Sequence, residues 1–115
     1  MRKVKRGEMY LMDLPDGIGS EQKNVRPAVI VSNHEGNEHS EIVTVAPITS
    51  QIKKVKQPTH VLVRNMKALD KNSVVLCEQV GTFSKLRLLK LLGRFNRRTM
   101  LRIDEAIRVA LSKDF

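Results

Sequence analysis

Four runs dense in β-branched residues, PAVIVS (27–32), EIVTVAPI (41–48), THVLV (59–63) and SVVLCEQV (73–80), follow one another across gaps of only 8, 10 and 9 residues. Val and Ile favour the pleated, packed surface of a strand. A parallel crossover needs a dozen or more residues, so these gaps leave room only for antiparallel returns. The sequence therefore predicts a small antiparallel β-barrel or sandwich over its first four-fifths. EMYLMDL (8–14) adds a shorter, mixed strand ahead of the four, while SNHEGNEHSE (32–41) and NMKALDKN (65–72) read as polar turns or loops.

The pattern changes after Thr82. SKLRLLKLLG (84–93) reads as a short Leu-rich helix with Ser84 as its N-cap and Gly93 as its C′ residue. In NRRTMLRIDEAIRVALS (96–112), Met100, Ile103, Ile107 and Ala110 recur at helical spacing with Leu111 beside them. This predicts a terminal helix capped by Asn96, ending near Ser112 and laying one apolar face on the strands. Arg97 and Arg98 would then occupy the first turn, where the macrodipole disfavours cations by ~0.3–1 kcal/mol each. Contact with phosphate accounts for such a placement, and so does an exposed, salt-screened surface.

The 115 residues suffice for one core, so the whole chain, 1–115, is read as a single domain. Lys and Arg total 21 against 12 acidic residues, a net charge of +9, which makes a polyanion the first partner to consider. The charge is also segregated. From Ile42 to Leu69 and from Val80 to Arg102 there are basic residues and no acidic one, which concentrates positive potential in patches. One cysteine, Cys77, allows no intrachain disulfide and suits a reducing, cytoplasmic setting. No apolar run approaches the ~18 residues of a membrane span.

No metal or cofactor is expected. His34 and His39 are five apart in a predicted loop, His60 and Cys77 stand alone, and no Gly-rich phosphate loop or G-x-S-x-G occurs. An enzyme that attacks a polyanion without a metal can use a nucleophile already in its substrate, and RNA supplies one in the 2′-hydroxyl. Such a site must spread charge from the transition state, orient the 2′-hydroxyl and protonate the leaving 5′-oxygen. GSEQKNVRPAVIV (19–31) offers Arg26, whose planar fork holds two phosphate oxygens. VAPITSQ (45–51) offers Thr49 and Ser50 at a strand end. Ordinary chemistry explains the same residues: an Arg before Pro often caps a strand, and Ser-Glu-Gln is common in turns.

KRGEMYLMDL, GSEQKNVRPAVIVSN, APITSQI, QPTHV, NSVVLCEQV and the terminal IDEAIRVAL stand in an order and spacing that resembles the MazF/PemK toxin family, from Lys5 to the C-terminus. The most specific element is G-S-E-Q-x-x-x-R-P followed later by I-T-x-Q. The resemblance implies a mainly β fold with a C-terminal helix, the SH3-like small antiparallel β-barrel of the CcdB/PemK type. It further implies a homodimeric endoribonuclease toxin of a type II toxin–antitoxin system. Cleavage of single-stranded RNA would be sequence-specific and metal-independent, leaving a 2′,3′-cyclic phosphate and a 5′-hydroxyl. Arg26 and Thr49 would be the catalytic pair, with Ser20, Glu21 and Gln22 in the adjoining loop. Ser50, Gln51 and Lys53 would follow Thr49 along the substrate, and Glu78 and Gln79 would lie on a strand close to the site. The chain departs from the family pattern at Gly81, where Arg is frequent, at Pro47, commonly Ala, and at Asn96–Thr99, where acidic residues usually open the helix.

An arginine with a pKa above ~12 is deprotonated in roughly one molecule in 10⁵ at neutral pH, so Arg26 is assigned as charge clamp rather than base. Glu21 is then the candidate general base, and Thr49 the donor to a non-bridging oxygen or a proton relay. The expected partners are single-stranded RNA, an antitoxin with an acidic disordered segment that occupies the basic groove, a second copy of the chain, and operator DNA through the toxin–antitoxin complex. No membrane partner is expected. Two rival readings use the same barrel without catalysis: a toxin that binds DNA gyrase, and a plain RNA-binding barrel. With only Tyr10, Phe83, Phe95 and Phe115 as aromatics, base reading would rest on hydrogen bonds more than on stacking.

Overall fold

The computed structural model describes residues 3–15, 24–51 and 57–112. Seven strands run β1 Glu8–Leu14, β2 Asn24–Ile30, β3 Ile42–Thr49, β4 His60–Val63, β5 Ser73–Leu76, β6 Gly81–Ser84 and β7 Leu88–Arg94. Two helices, α1 His34–His39 and α2 Arg97–Ala110, lie between β2 and β3 and after β7. All strand pairs are antiparallel, in the order β4-β5-β3-β2-β1-β7, with β6 pairing the first half of β3.

The apolar runs are continuous rather than alternating because the central strands are buried on both faces. Tyr10, Met12, Leu14, Ala28, Ile30, Val43 and Val45 build a core on one face. Met9, Val29, Ala46, Ile48, Val61, Val75 and Cys77 build another, which α2 covers with Met100, Ile103 and Ala106. Strand β3 changes partner along one edge, from β6 at Ile42–Val45 to β5 at Ile48–Thr49. Pro47, which has no N–H to give a ladder, falls in the gap between the two.

The sequence-based expectation of an antiparallel sheet with a terminal helix holds, but the barrel does not close. Strands β4 and β7 end the hydrogen-bonded path and do not pair with each other among the described residues. Beside β4 stands α2, whose Arg102 Nη2 donates to the Leu62 carbonyl at 3.2 Å, so a helix covers the edge that a closing strand would have used.

Three local expectations are corrected. The predicted loop at 32–41 contains a short helix: the Asn33 carboxamide oxygen accepts from Gly36 N–H at 2.9 Å, and buried Asn37 anchors the turn to Ser32. The predicted helix at 84–93 is a 3₁₀ turn (Lys85–Arg87) followed by β7; Ser84 does cap, but caps that turn, its hydroxyl accepting from Leu86 N–H. In β7 the register steps from Met9↔Gly93 to Tyr10↔Leu91 and from Leu11↔Lys90 to Met12↔Leu88, leaving Leu92 and Leu89 as extra residues. Two bulges stretch the strand's period of two toward a helix-like spacing of leucines. At Gly93 an added Cβ would lie 2.7 Å from the Ala68 Cβ, so the glycine serves close packing in a strand, not a helix C-terminus. The terminal helix was read correctly, with Asn96 Oδ1 accepting from Thr99 N–H at 2.9 Å, although Leu111 is largely exposed instead of joining its apolar face.

Candidate active site

Arg26 lies in β2 opposite Met12 of β1. Across the other edge of β2 the register is Ala28↔Pro47, Val29↔Ala46 and Ile30↔Val45. The recorded pairing ends at Ala28↔Pro47; Arg26 lies two residues before Ala28 and Thr49 two residues after Pro47, so the same register, if extended, would set them level. Side chains at opposed positions share a face, here the face of Met12 and Ala28. Arg26 is half-buried, and its Nε is a buried donor with no acceptor among the described residues. A buried donor left unpaired is costly, and the residues just before β2 lie outside the described ones.

Thr49 has a divided role. Its Oγ1 accepts from the Gln51 N–H at 3.1 Å, which folds Ser50 and Gln51 into a tight turn. The hydroxyl proton is left to donate elsewhere. On the opposite face of the same strand ends, Ser50 joins Leu11, Pro27, Ile48, Asp70 and Lys71 around a groove of about 330 Å³. Arg26 and Thr49 do not line this groove; their neighbours in the chain do. Ser20, Glu21, Gln22 and Lys53 lie outside the described residues.

Glu78 and Gln79 are not on a strand. They belong to a 3₁₀ turn, Cys77–Gln79, that leaves β5. Val74 is the residue opposite Thr49, and Glu78 follows it four residues later, past the end of β5. Its carboxylate is engaged there: Thr59 Oγ1 donates to Oε2 at 2.9 Å, and His60 Nε2 lies 3.0 Å from the same oxygen. Glu78 and Gln79 thus belong to a turn and not to the strand expected for them. The Thr59–His60–Glu78 cluster went unassigned in the sequence, where the only trace of it is the polar pair interrupting QPTHV.

Cys77 is fully buried beneath this cluster. Burial first, and then the negative charges of Glu78 and Asp104, push its thiol up to about 12 from an ordinary 9.0. It stays protonated at neutral pH and is no nucleophile. No group of three His, Cys, Asp or Glu side chains is placed to hold a metal ion among the described residues.

An open antiparallel sheet with a helix over one face has counterparts among known proteins. The family described as PemK-like, MazF-like toxin of type II toxin-antitoxin system matches residues 5–111, and the chain belongs to that family. The endoribonuclease MazF of Staphylococcus epidermidis is 45% identical over 109 residues, which are 94% of this chain and 91% of that protein. A solved endoribonuclease from a mycobacterial species superposes with a TM-score of 0.79 at 28% identity, covering 96% of this chain and 93% of that one. An endoribonuclease in complex with its cognate antitoxin, also mycobacterial, superposes with a TM-score of 0.77 at 28% identity, covering 94% of each chain.

Proposed function

We propose that this toxin endoribonuclease cleaves single-stranded RNA at a phosphodiester held between Arg26 and Thr49, with no metal in the reaction. The observation that supports the reading is the buried Arg26 Nε, which has no acceptor among the described residues, on a strand whose pairing with β3, continued two residues past Ala28↔Pro47, would lead to Thr49. The guanidinium clamps two phosphate oxygens and offsets the charge of the transition state. The Thr49 hydroxyl donates to a non-bridging oxygen. Glu21 takes the proton of the 2′-hydroxyl as its oxygen bonds to phosphorus; the bond from phosphorus to the 5′-oxygen breaks, and a proton is delivered to that oxygen. The products are a 2′,3′-cyclic phosphate and a 5′-hydroxyl. Ser20, Gln22, Ser50, Gln51 and Lys53 bind the flanking nucleotides.

The test is cleavage of a single-stranded RNA in EDTA, with the 2′-hydroxyl at the cut position replaced by hydrogen in a parallel substrate. Cleavage of the first and survival of the second support the reading. Intact RNA in both, with Arg26→Ala binding RNA like the wild type, would overturn it. For Glu21, the reading requires Glu21→Gln to flatten the pH profile of single-turnover cleavage; an unchanged profile would leave the clamp standing and remove the base.

The partners follow the same chemistry. A solved relative carries its cognate antitoxin, and a basic groove in this chain suits an antitoxin with an acidic, disordered segment. Exposed Leu86, Leu89, Leu91, Leu101 and Leu111 offer apolar surface for a homodimer. The expected mass in light scattering is twice 13.1 kDa. No helix among the described residues is long and apolar enough to cross a membrane.

A further inference from the structure

A second concentration of positive charge lies away from Arg26. Between the segment before β1, the end of β7 and the first turn of α2 is a cleft of about 550 Å³, walled by Arg6, His34, Arg94, Asn96 and Arg97 over the side chain of Met100. No carboxylate among the described residues lines it. Glu8, opposed to Arg94 across the β1–β7 ladder and four residues before the partner of Arg26, is ~13 Å from that partner at strand rise.

The cations in this cleft are unequally compensated. Arg6 is fixed in place: its Nε donates to the Val31 carbonyl at 3.1 Å and its terminal nitrogen pairs with Asp104. Arg94 faces Glu8 in register, yet the Glu8 carboxylate is turned to the Lys5 N–H at 2.6 Å and the Tyr10 hydroxyl at 3.3 Å. Arg94 and Arg97 thus have no carboxylate partner among the described residues. The backbone is similarly open. Asn96 takes the Thr99 N–H, and Met100 N–H donates to the Asn96 carbonyl, while the N–H groups of Arg97 and Arg98 have no partner among the described residues. The cleft is also braced: Gly7 N–H donates to the Ile30 carbonyl at 2.8 Å and Phe95 N–H to the Gly7 carbonyl at 3.0 Å, tying together the segments that carry Arg6 and Arg97.

We infer that this cleft is a phosphate-binding site distinct from the Arg26–Thr49 position, in which Arg94 and Arg97 clamp the phosphate oxygens and the first N–H groups of α2 complete their coordination. Two guanidinium forks on different elements match a tetrahedral anion better than a planar carboxylate. The helix end adds to a field the arginines already create. The inference accounts for Arg97 at a position where the macrodipole alone would disfavour it: an anion in the cleft is attracted to both the helix end and the guanidinium and offsets their repulsion. The phosphate belongs either to the RNA chain beyond the scissile position or to a free phosphate or phosphomonoester.

The test uses the full ¹⁵N-labelled chain, titrated with inorganic phosphate at constant ionic strength and with chloride as control. The Arg97 and Arg98 amide resonances shift saturably with phosphate and not with chloride, with a dissociation constant in the millimolar range. In the Arg94→Gln/Arg97→Gln variant the phosphate affinity falls by about tenfold or more. Arg26→Ala keeps the shifts, which separates this site from the cleavage reading. A second arm measures the salt dependence of binding to an uncleavable 2′-deoxy oligonucleotide. If the double variant lowers the log–log slope by about 1.4, two contacts at ~0.7 each, the phosphate is that of the nucleic-acid chain. An unchanged slope with retained phosphate shifts assigns the site to free phosphate. Wild-type amides that ignore phosphate, or that shift as chloride shifts them, overturn the proposal, and the wild-type titration needs no variant to fold.

Discussion

At the scale of single residues, the hydroxyl of Thr49 has one lone pair occupied by the Gln51 N–H and no acceptor for its proton among the described residues. Thr49→Ser keeps both functions, so its cleavage rate stays within about tenfold of wild type, whereas Thr49→Val loses the donor and about 10²–10³ in single-turnover rate. Quantified cleavage of a defined RNA distinguishes them; equal rates for the two variants would remove Thr49 from the chemistry. Cys77 makes a different prediction. Its thiol is raised from 9.0 to about 12 in the fold, so the folded chain holds a proton that the unfolded chain has released at intermediate pH. The stability this contributes is complete below pH 9 and is lost as pH rises toward 12, at up to about 1.4 kcal/mol per pH unit. Urea denaturation across that window should show a steeper alkaline decline for the wild type than for Cys77→Ala. Arg26 and Thr49 were proposed from the sequence because each stands beside an apolar run and a polar turn and matches the motifs of the family it resembles. The Thr59–His60–Glu78 contact was not, since it joins positions 18 and 19 apart through folding that no local pattern announces.

At the scale of elements, the misread segment is the most instructive. LRLLKLLG has the composition of a helix, and Leu favours helices by a few tenths of a kcal/mol per residue; the pairing edge of β1 outweighs that preference, and the bulges at Leu89 and Leu92 disguise the strand's alternation. Gly93 then carries a testable consequence. Gly93→Ala forces its Cβ onto that of Ala68, 2.7 Å away, and overpacking of this kind costs about 1–3 kcal/mol. Ala68→Gly in the same chain removes the clash. Thermal or urea denaturation of the two single variants and the double variant should therefore show non-additive recovery. On the other side of the sheet, α2 was legible because its cap and its period agree: Asn96 at the start, and Met100 and Ile103 on the buried face, which Ala106 completes and Leu111 leaves. Ile103→Ala, at a fully buried position, should cost about 2–5 kcal/mol, seen as a lowered urea midpoint. The short helix α1 escaped the sequence reading because its six residues show no apolar face and are held by Asn33 and Asn37, residue types that serve turns equally well.

At the scale of the whole molecule, a net charge of +9 on 115 residues is distributed so that long stretches of chain carry no acid at all. The fold gathers part of that segregated charge, Arg6, Arg94 and Arg97, around one cleft. What binds such surfaces does so largely by releasing counterions, and its affinity depends steeply on salt. A single-stranded RNA making about four phosphate contacts should bind with a log–log salt slope near −3, losing roughly fiftyfold in affinity between 50 and 200 mM salt. An acidic, disordered peptide that displaces it competes for the same positive groups, so its affinity should fall over the same range. Fluorescence anisotropy of a labelled, uncleavable oligonucleotide, titrated with an Asp/Glu-rich peptide at two salt concentrations, measures both. Competition that weakens with salt places the two ligands on shared charges. Competition that is insensitive to salt would instead assign the displacement to apolar contacts, with exposed Leu89 and Leu91 on β7 as the first surface to mutate.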